Sequence, residues 1–207
     1  MIKVLVVDDD ESISQNLKTI LEELGYISDT AYNGEEALRK IRENHYEVAL
    51  IDLLLPDMDG LQLLIEAKKA SPTTSIIIIT AFGTIPNAVE AIKRGASDYV
   101  TKPFRIDDLI TTIKKVVEEQ RITYEANAEL LSILSHPIRR SVISLLAKHR
   151  RMKFTDLARA VGIRDPPKLS FHLKILRDAG LIIQESDKLY TLTDKGIRAM
   201  RMIYIKT

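Results

Sequence analysis

Over residues 1 to 120, short β-branched runs alternate strictly with stretches of helical periodicity, and this alternation restricts the fold more than any other feature of the chain. Strand patterns fall at Ile2–Val7, Ile27–Ala31, Glu47–Asp52, Ser75–Thr80 and Ser97–Thr101, and helical patterns at Glu11–Leu24, Glu35–Asn44, Gly60–Ala70, Asn87–Arg94 and Ile106–Gln120. A strand followed each time by a helix asks for parallel strands joined by crossovers, so the spacing predicts an α/β, doubly wound, five-stranded parallel sheet. The run Ile76–Ile79 lacks polar alternation, as a central strand covered by helices on both faces requires.

That architecture gathers residues distant in sequence. Asp8 and Asp9 follow the first strand pattern, Asp52 ends the third, Thr80 ends the fourth and Lys102 follows the fifth. All belong to the carboxyl edge of the sheet, where doubly wound folds bind ligands. Carboxylates forced together raise one another's pKa unless a cation sits among them, and hard oxygen donors with spare water positions suit Mg2+. Lys102 adds a fixed positive charge. A carboxylate beside a metal and an ammonium group is placed to attack phosphorus and form an aspartyl phosphate. Asp52 closes the apolar run Val48–Ile51, where an unpartnered carboxylate is costly to bury. Asp10, Asp57 and Asp59 suit loop and capping roles.

The segments Val6-Val7-Asp8-Asp9-Asp10, Asp52-Leu53-Leu54-Leu55-Pro56-Asp57-Met58-Asp59-Gly60, Thr80-Ala81 and Asp98-Tyr99-Val100-Thr101-Lys102-Pro103-Phe104 together resemble the receiver domain of two-component response regulators. The resemblance implies a flavodoxin-like sheet in the order 2-1-3-4-5 and a phosphoacceptor at Asp52. It implies Mg2+ held by Asp8, Asp9, Asp52 and the main-chain carbonyl of Leu54, Lys102 on the phosphoryl oxygens, and Thr80 with Tyr99 as the switch pair. A histidine kinase is the implied phosphate donor, and a cis Lys102–Pro103 bond is implied as well. On this reading the chain is a phosphoacceptor rather than an enzyme. Leu54 and Phe82, each two positions beyond a site residue, are bulky and apolar, and are expected to restrict hydrolytic water.

The formal net charge of +1 hides two opposite halves. Residues 1–120 hold 13 Lys and Arg against 21 Asp and Glu, a net of −8, while residues 121–207 hold 17 against 8, a net of +9. A short basic body is the footprint of a nucleic-acid binder. Helical patterns at Ala126–Leu134, Ile138–Lys148, Phe154–Val161 and Lys168–Ala179 precede two short strands, Leu181–Glu185 and Leu189–Leu192, and a last helix from Asp194. Helices followed by a hairpin are the order of a small winged helix-turn-helix domain. Asp165 and Pro166 suit the N-cap and first position of the fourth helix. That helix buries Leu169, Leu173 and Leu176 and turns Lys168, Ser170, Phe171, Lys174 and Arg177 outward, a face suited to the major groove of double-stranded DNA. Arg139 and Arg140, with Lys148, Arg150, Arg151 and Lys153, are candidates for phosphate contacts, as is Lys188 at the hairpin tip. The stretches Ile133-Leu134-Ser135-His136-Pro137-Ile138-Arg139-Arg140, Leu169-Ser170-Phe171-His172-Leu173-Lys174-Ile175-Leu176 and Ala179-Gly180-Leu181-Ile182 resemble ArsR-type winged helices, especially archaeal ones. There is no cysteine anywhere, so metal sensing of the arsenic type has no support, and the turn through Arg164–Pro167 is one residue longer than that family's. The four histidines show no ligand spacing and read as structural.

The expected organisation is a receiver at 1–120, a helical linker at 121–129 that one long helix from Ile106 could absorb, and the winged helix at 130–207. Ile110, Ile113, Val117, Tyr124, Leu131 and Leu134 fit a heptad seam that could pair two chains, although division of these residues between two separate cores accounts for them equally. Met1 leads directly into a strand pattern and the longest apolar run is too short to span a bilayer, so a cytoplasmic protein without membrane contact is expected. The leading functional expectation is a regulator, phosphorylated at Asp52, that binds DNA as a homodimer. A signalling scaffold whose winged helix docks proteins is the alternative, separable by salt-dependent affinity for duplex DNA. A phosphohydrolase is disfavoured because Leu54 stands where a second carboxylate would act as general acid.

Overall fold

A computed structural model describes residues 1–204 apart from Phe82. The chain forms two compact units, residues 1–122 and 123–207. The first holds β1 (Lys3–Val7), α1 (Glu11–Glu23), β2 (Ile27–Ala31), α2 (Gly34–Glu43), β3 (Val48–Ile51), α3 (Gly60–Ala70), β4 (Ser75–Thr80), α4 (Ile85–Lys93) and β5 (Asp98–Thr101). The five strands are parallel in the order β2-β1-β3-β4-β5, the expected topology. Every residue of β3 and β4 is buried, because helices cover both faces. Side chains on one face, including Leu5, Ala49, Ile76 and Ile78, pack with Leu38, Leu63 and Leu64 of α2 and α3. The alternate set, Val4, Val6, Leu50, Ile77 and Ile79, packs with Leu17, Leu21, Leu109 and Ile113.

α4 begins two residues before the predicted helix. Thr84 accepts a hydrogen bond from the Asn87 N–H at 3.3 Å, and Pro86 fits the first turn, where its missing N–H is no loss. Gly60 is required by a close approach: a Cβ there would lie 2.3 Å from the Asp52 carbonyl oxygen.

α5 runs from Ile106 to Leu134 as one helix, across the boundary at residue 122, and takes in residues 121–129, the stretch read from the sequence as a helical linker. The heptad seam divides between two cores. Ile113 is buried in the first unit, with Ile110 and Val117 packed around it, whereas Leu134 is buried in the second. Of the proposed seam only Tyr124 and Leu131 are exposed large apolar side chains.

The second unit continues with α6 (Pro137–His149), β6 (Arg151–Met152), α7 (Phe154–Val161), α8 (Pro166–Asp178), β7 (Ile182–Gln184), β8 (Tyr190–Leu192) and α9 (Asp194–Tyr204). The strands form an antiparallel sheet in the order β6-β8-β7. β6 escaped the sequence reading because two residues are too few to show alternation. Leu146, Leu157, Leu169, Leu173 and Leu176 fill the core. Gly162 ends α7 in the left-handed region at φ 76°, which glycine adopts without steric cost. Asp165 and Pro166 occupy the predicted cap positions of α8, but the Asp165 side chain makes no cap hydrogen bond.

Candidate phosphoacceptor site

The backbone ladders run one residue past the strand ends: Asp8 N–H donates to Ala31 O, Asp52 N–H to Val7 O and Lys102 N–H to Thr80 O. These bonds fix three site residues on one sheet edge before any side chain is considered. Asp8, Asp52 and Thr80 are buried. The Lys102 ammonium bridges the two acids, pairing with Asp8 Oδ2 and lying 2.6 Å from Asp52 Oδ2. The other oxygen of each acid also has a donor: Asp8 Oδ1 accepts from Asp10 N–H at 3.0 Å and Asp52 Oδ1 from Leu54 N–H at 3.2 Å. The Lys102–Pro103 bond is cis.

Burial pushes the Asp8 carboxyl above its ordinary pKa, against the pull of Lys102 and the Asp10 N–H. For Lys102 the balance is reversed. Burial lowers its pKa, but the hydrogen bonds to Asp52 and Asp8 outweigh that cost and hold the ammonium above its ordinary value. A charged lysine therefore supplies the cation that gathered carboxylates need.

The three acids expected around Mg2+ do not form one cluster. Asp8 and Asp52 converge on Lys102, Asp9 is exposed, and among the described residues no three acids or histidines come together in a metal-holding group. The Lys102 ammonium occupies the position between the two buried carboxylates. The donor chemistry still fits Mg2+, with two buried carboxylates and a third on the adjoining exposed residue, all hard oxygens.

Thr80 and Tyr99 lie on neighbouring strands, β4 and β5. Tyr99 is half-buried against the core, and its hydroxyl pKa is raised by burial and then by the charge of Asp52. Leu54 is 55% exposed and lines an open groove of about 520 Å³ with Leu53, Leu55, Asp57, Met58 and Asn87. Phe82 lies outside the described residues.

The remaining acids cap helices. Asp10 accepts from Ser12 and Ile13 N–H at the start of α1, and Asp59 from Leu61 N–H at the start of α3. Asp57 reaches across to α2, its two oxygens each accepting at 2.8 Å from Gly34 and Glu35 N–H. The loop after Asp52 is thereby tied to another helix. Ser14 went unnoticed in the sequence: it is fully buried and its hydroxyl donates to Asp8 O at 3.1 Å. A small polar residue on the apolar face of α1 was the available signal.

In the second unit α8 exposes Lys168, Ser170, Phe171, Lys174 and Arg177, as expected. Arg140 and Lys188 are exposed too, with Lys188 at φ 67° in the turn between β7 and β8. Two candidates for phosphate contact differ from expectation. Arg139 is half-buried, with its Nε shielded and unpaired, because α6 starts against the core. Arg151 is held by Glu185 and Asp187 of the hairpin.

Residues 4–114 match the family model of the response regulator receiver domain. The chain belongs to this family. This response regulator is 41% identical over 131 residues to the transcriptional regulatory protein ZraR of Salmonella typhimurium, a match covering 63% of this chain and 29% of that protein. It is 37% identical over 116 residues to the uncharacterized transcriptional regulatory protein YkoG of Bacillus subtilis, covering 56% and 51%. The chain therefore spans well under two thirds of these relatives. Among solved structures it resembles the CheY-like receiver domain protein of Methanospirillum hungatei, at a TM-score of 0.58 and 36% identity over 59% of this chain and 98% of that one. It also resembles the beryllofluoride-activated NtrC4 receiver domain dimer, at 0.56 and 44% over 58% and 99%. Residues 127–203 of the response regulator match a domain of unknown function, DUF7347, rather than an ArsR-type model, and both curated relatives are bacterial. The ArsR-type and archaeal resemblances thus stay readings of the sequence. Among the described residues no helix is long and apolar enough to cross a membrane.

Proposed function

We propose that this chain accepts a phosphoryl group on Asp52 from a histidine kinase and that the phosphorylated form regulates transcription through a DNA-binding winged helix. The observation carrying the first part is the Lys102 ammonium set between the buried carboxylates of Asp8 and Asp52. An Asp52 oxygen attacks phosphorus, the P–N bond of the donor phosphohistidine breaks, and the departing imidazole takes a proton from water. Lys102 stays charged and pairs with the phosphoryl oxygens, so transfer needs positioning and charge neutralisation rather than a general base. Asp8, Asp9, Asp52 and the Leu54 carbonyl would hold Mg2+, which when bound neutralises further phosphoryl charge. Thr80 and Tyr99 are the pair that registers the new charge, by hydroxyl contact and by inward rotation of the ring. On this reading the protein is a phosphoacceptor and not an enzyme.

The second part is supported by the excess of 17 Lys and Arg over 8 Asp and Glu in residues 121–207, and by the cationic outer face of α8. Pairing of two chains would join two basic units on one duplex and add their phosphate contacts through effective concentration. The test compares duplex DNA affinity of wild type and Asp52→Ala, with and without a small-molecule phosphodonor. Stimulation of wild type alone, with basal affinity kept in the variant, is expected. Equal stimulation of both defeats the proposal.

A further inference from the structure

Phe171 is 61% exposed, although α8 has a complete apolar face without it. At 100° per residue, Leu169, His172, Leu173 and Leu176 cluster on the buried side, while Phe171, Lys174 and, in the last turn, the exposed Asp178 fall near the middle of the opposite face. Ser170 and Arg177 flank them on one side and Lys168 on the other. Among the described residues no salt bridge engages Lys168, Lys174 or Arg177. An apolar ring of this size, set among unpaired cations, is suited to a partner that is polyanionic and carries an apolar group between its charges.

The ring is also held in place. Its edge meets the His172 imidazole at 5.5 Å between centroids and 72° between planes, and His172 is only 4% exposed. The His172 ring in turn lies 4.2 Å from that of His136, whose Nδ1 accepts the Ile138 N–H as the cap of α6. The phenyl group thus projects from a backed position and has less freedom to lose on contact.

Resting on the DNA-binding reading above, we infer that Phe171 is a specificity-determining residue that reads thymine through its C5-methyl group in the major groove. That methyl is the one apolar group the base edges present there, and it lies in a groove wide enough for a helix. Lys168, Lys174 and Arg177 supply the flanking contacts to phosphate and base edges, and these carry affinity without requiring thymine. Phe171 supplies the preference for thymine.

The test first selects bound duplexes from a random pool with the full-length protein, then replaces each thymine by deoxyuridine, one position at a time. Uracil pairs as thymine does and lacks only the methyl. Wild type is expected to lose about fourfold in affinity at one thymine per half-site, the factor corresponding to ~0.8 kcal/mol for one buried carbon group. Phe171→Ala is expected to bind the thymine and uracil duplexes equally, and Phe171→Leu to recover part of the difference. Wild type indifferent to every replacement, or Phe171→Ala keeping the discrimination, overturns the inference while salt-dependent binding leaves the DNA reading standing. Absence of salt-dependent duplex binding overturns both.

Discussion

Replacing Lys102 by Met removes the cation shared by two buried carboxylates and leaves the side-chain volume nearly unchanged. Asp8 and Asp52 then face each other with only main-chain donors, the N–H groups of Asp10 and Leu54, to offset their charge. Removing one partner of a buried ion pair costs about 3–5 kcal/mol. Here the edge opens to water beside the exposed Asp9, so the lower figure applies, about 3 kcal/mol in a chelating buffer. A divalent cation that binds only the folded site at a hundredfold excess over its Kd returns about 2.7 kcal/mol. Mg2+ should therefore restore most of what the substitution removes. Hydrogen exchange of the β3 and β4 amides reads this in the first unit alone. With EDTA the opening equilibrium should rise by about a hundredfold in the variant, from tenfold per 1.4 kcal/mol, and Mg2+ should largely reverse it. Equal protection of variant and wild type in EDTA, or protection in the variant that ignores Mg2+, would refute the reasoning.

Leu54→Asn places a water-binding group at the mouth of the site, so phosphate loss from the phosphorylated protein should accelerate several-fold; an unchanged or slower rate in a phosphate-release assay rejects the water-excluding role. Asp57→Ala removes both carboxylate bonds to the start of α2 and should cost about 1 kcal/mol, with faster exchange confined first to the Gly34 and Glu35 amides. Uniform exchange changes across the unit would contradict a local tether. His172 is held below its ordinary pKa of 6.5 by burial first and then by His136, Arg139 and Lys168, so the unfolded chain binds a proton that the fold resists. The second unit should lose stability as pH falls from about 6.5 toward the depressed folded value, and His172→Gln should flatten that slope in thermal melts. Parallel slopes for variant and wild type would remove His172 as the cause.

The parallel sheet was legible because its causes are local and repeated. The apolar runs Val48–Ile51 of β3 and Ile76–Ile79 of β4, capping acids at Asp10 and Asp59 and glycines at helix ends all point to one arrangement. The convergence of Asp8, Asp52, Thr80 and Lys102 followed from topology alone, since strand ends of a doubly wound sheet share an edge. The details of charge did not follow. Spacing showed three acids and a lysine in the neighbourhood, but not that the lysine would pair with two of the acids at once while Asp9 stays exposed. Arg139 and Arg151 read as two more surface cations, because burial at the start of α6 and pairing with hairpin acids 34 and 36 residues away leave no mark in local sequence.

α5 shows most sharply where periodicity stops being informative. A residue repeat of alternating three and four says that one face of a helix is apolar, but not what lies against it. Ile113 belongs to a core of the first unit and Leu134 to that of the second, so the repeat is shared between two unrelated cores. Residues 121–129, between them, are exposed without exception. Charged and polar side chains dominate this stretch, and the helix persists through it because it contains no glycine or proline and its residues, Ala126 and Ala128 included, tolerate helical backbone. An uninterrupted helix with no core of its own needs only good propensity and packed ends, and both ends here are packed. A heptad seam would have needed its a and d positions exposed together, and of those only Tyr124, Asn127 and Leu131 are. Three positions, one of them polar, are too few to pair helices by themselves, so any pairing of two chains has to draw on surfaces of the folded units as well.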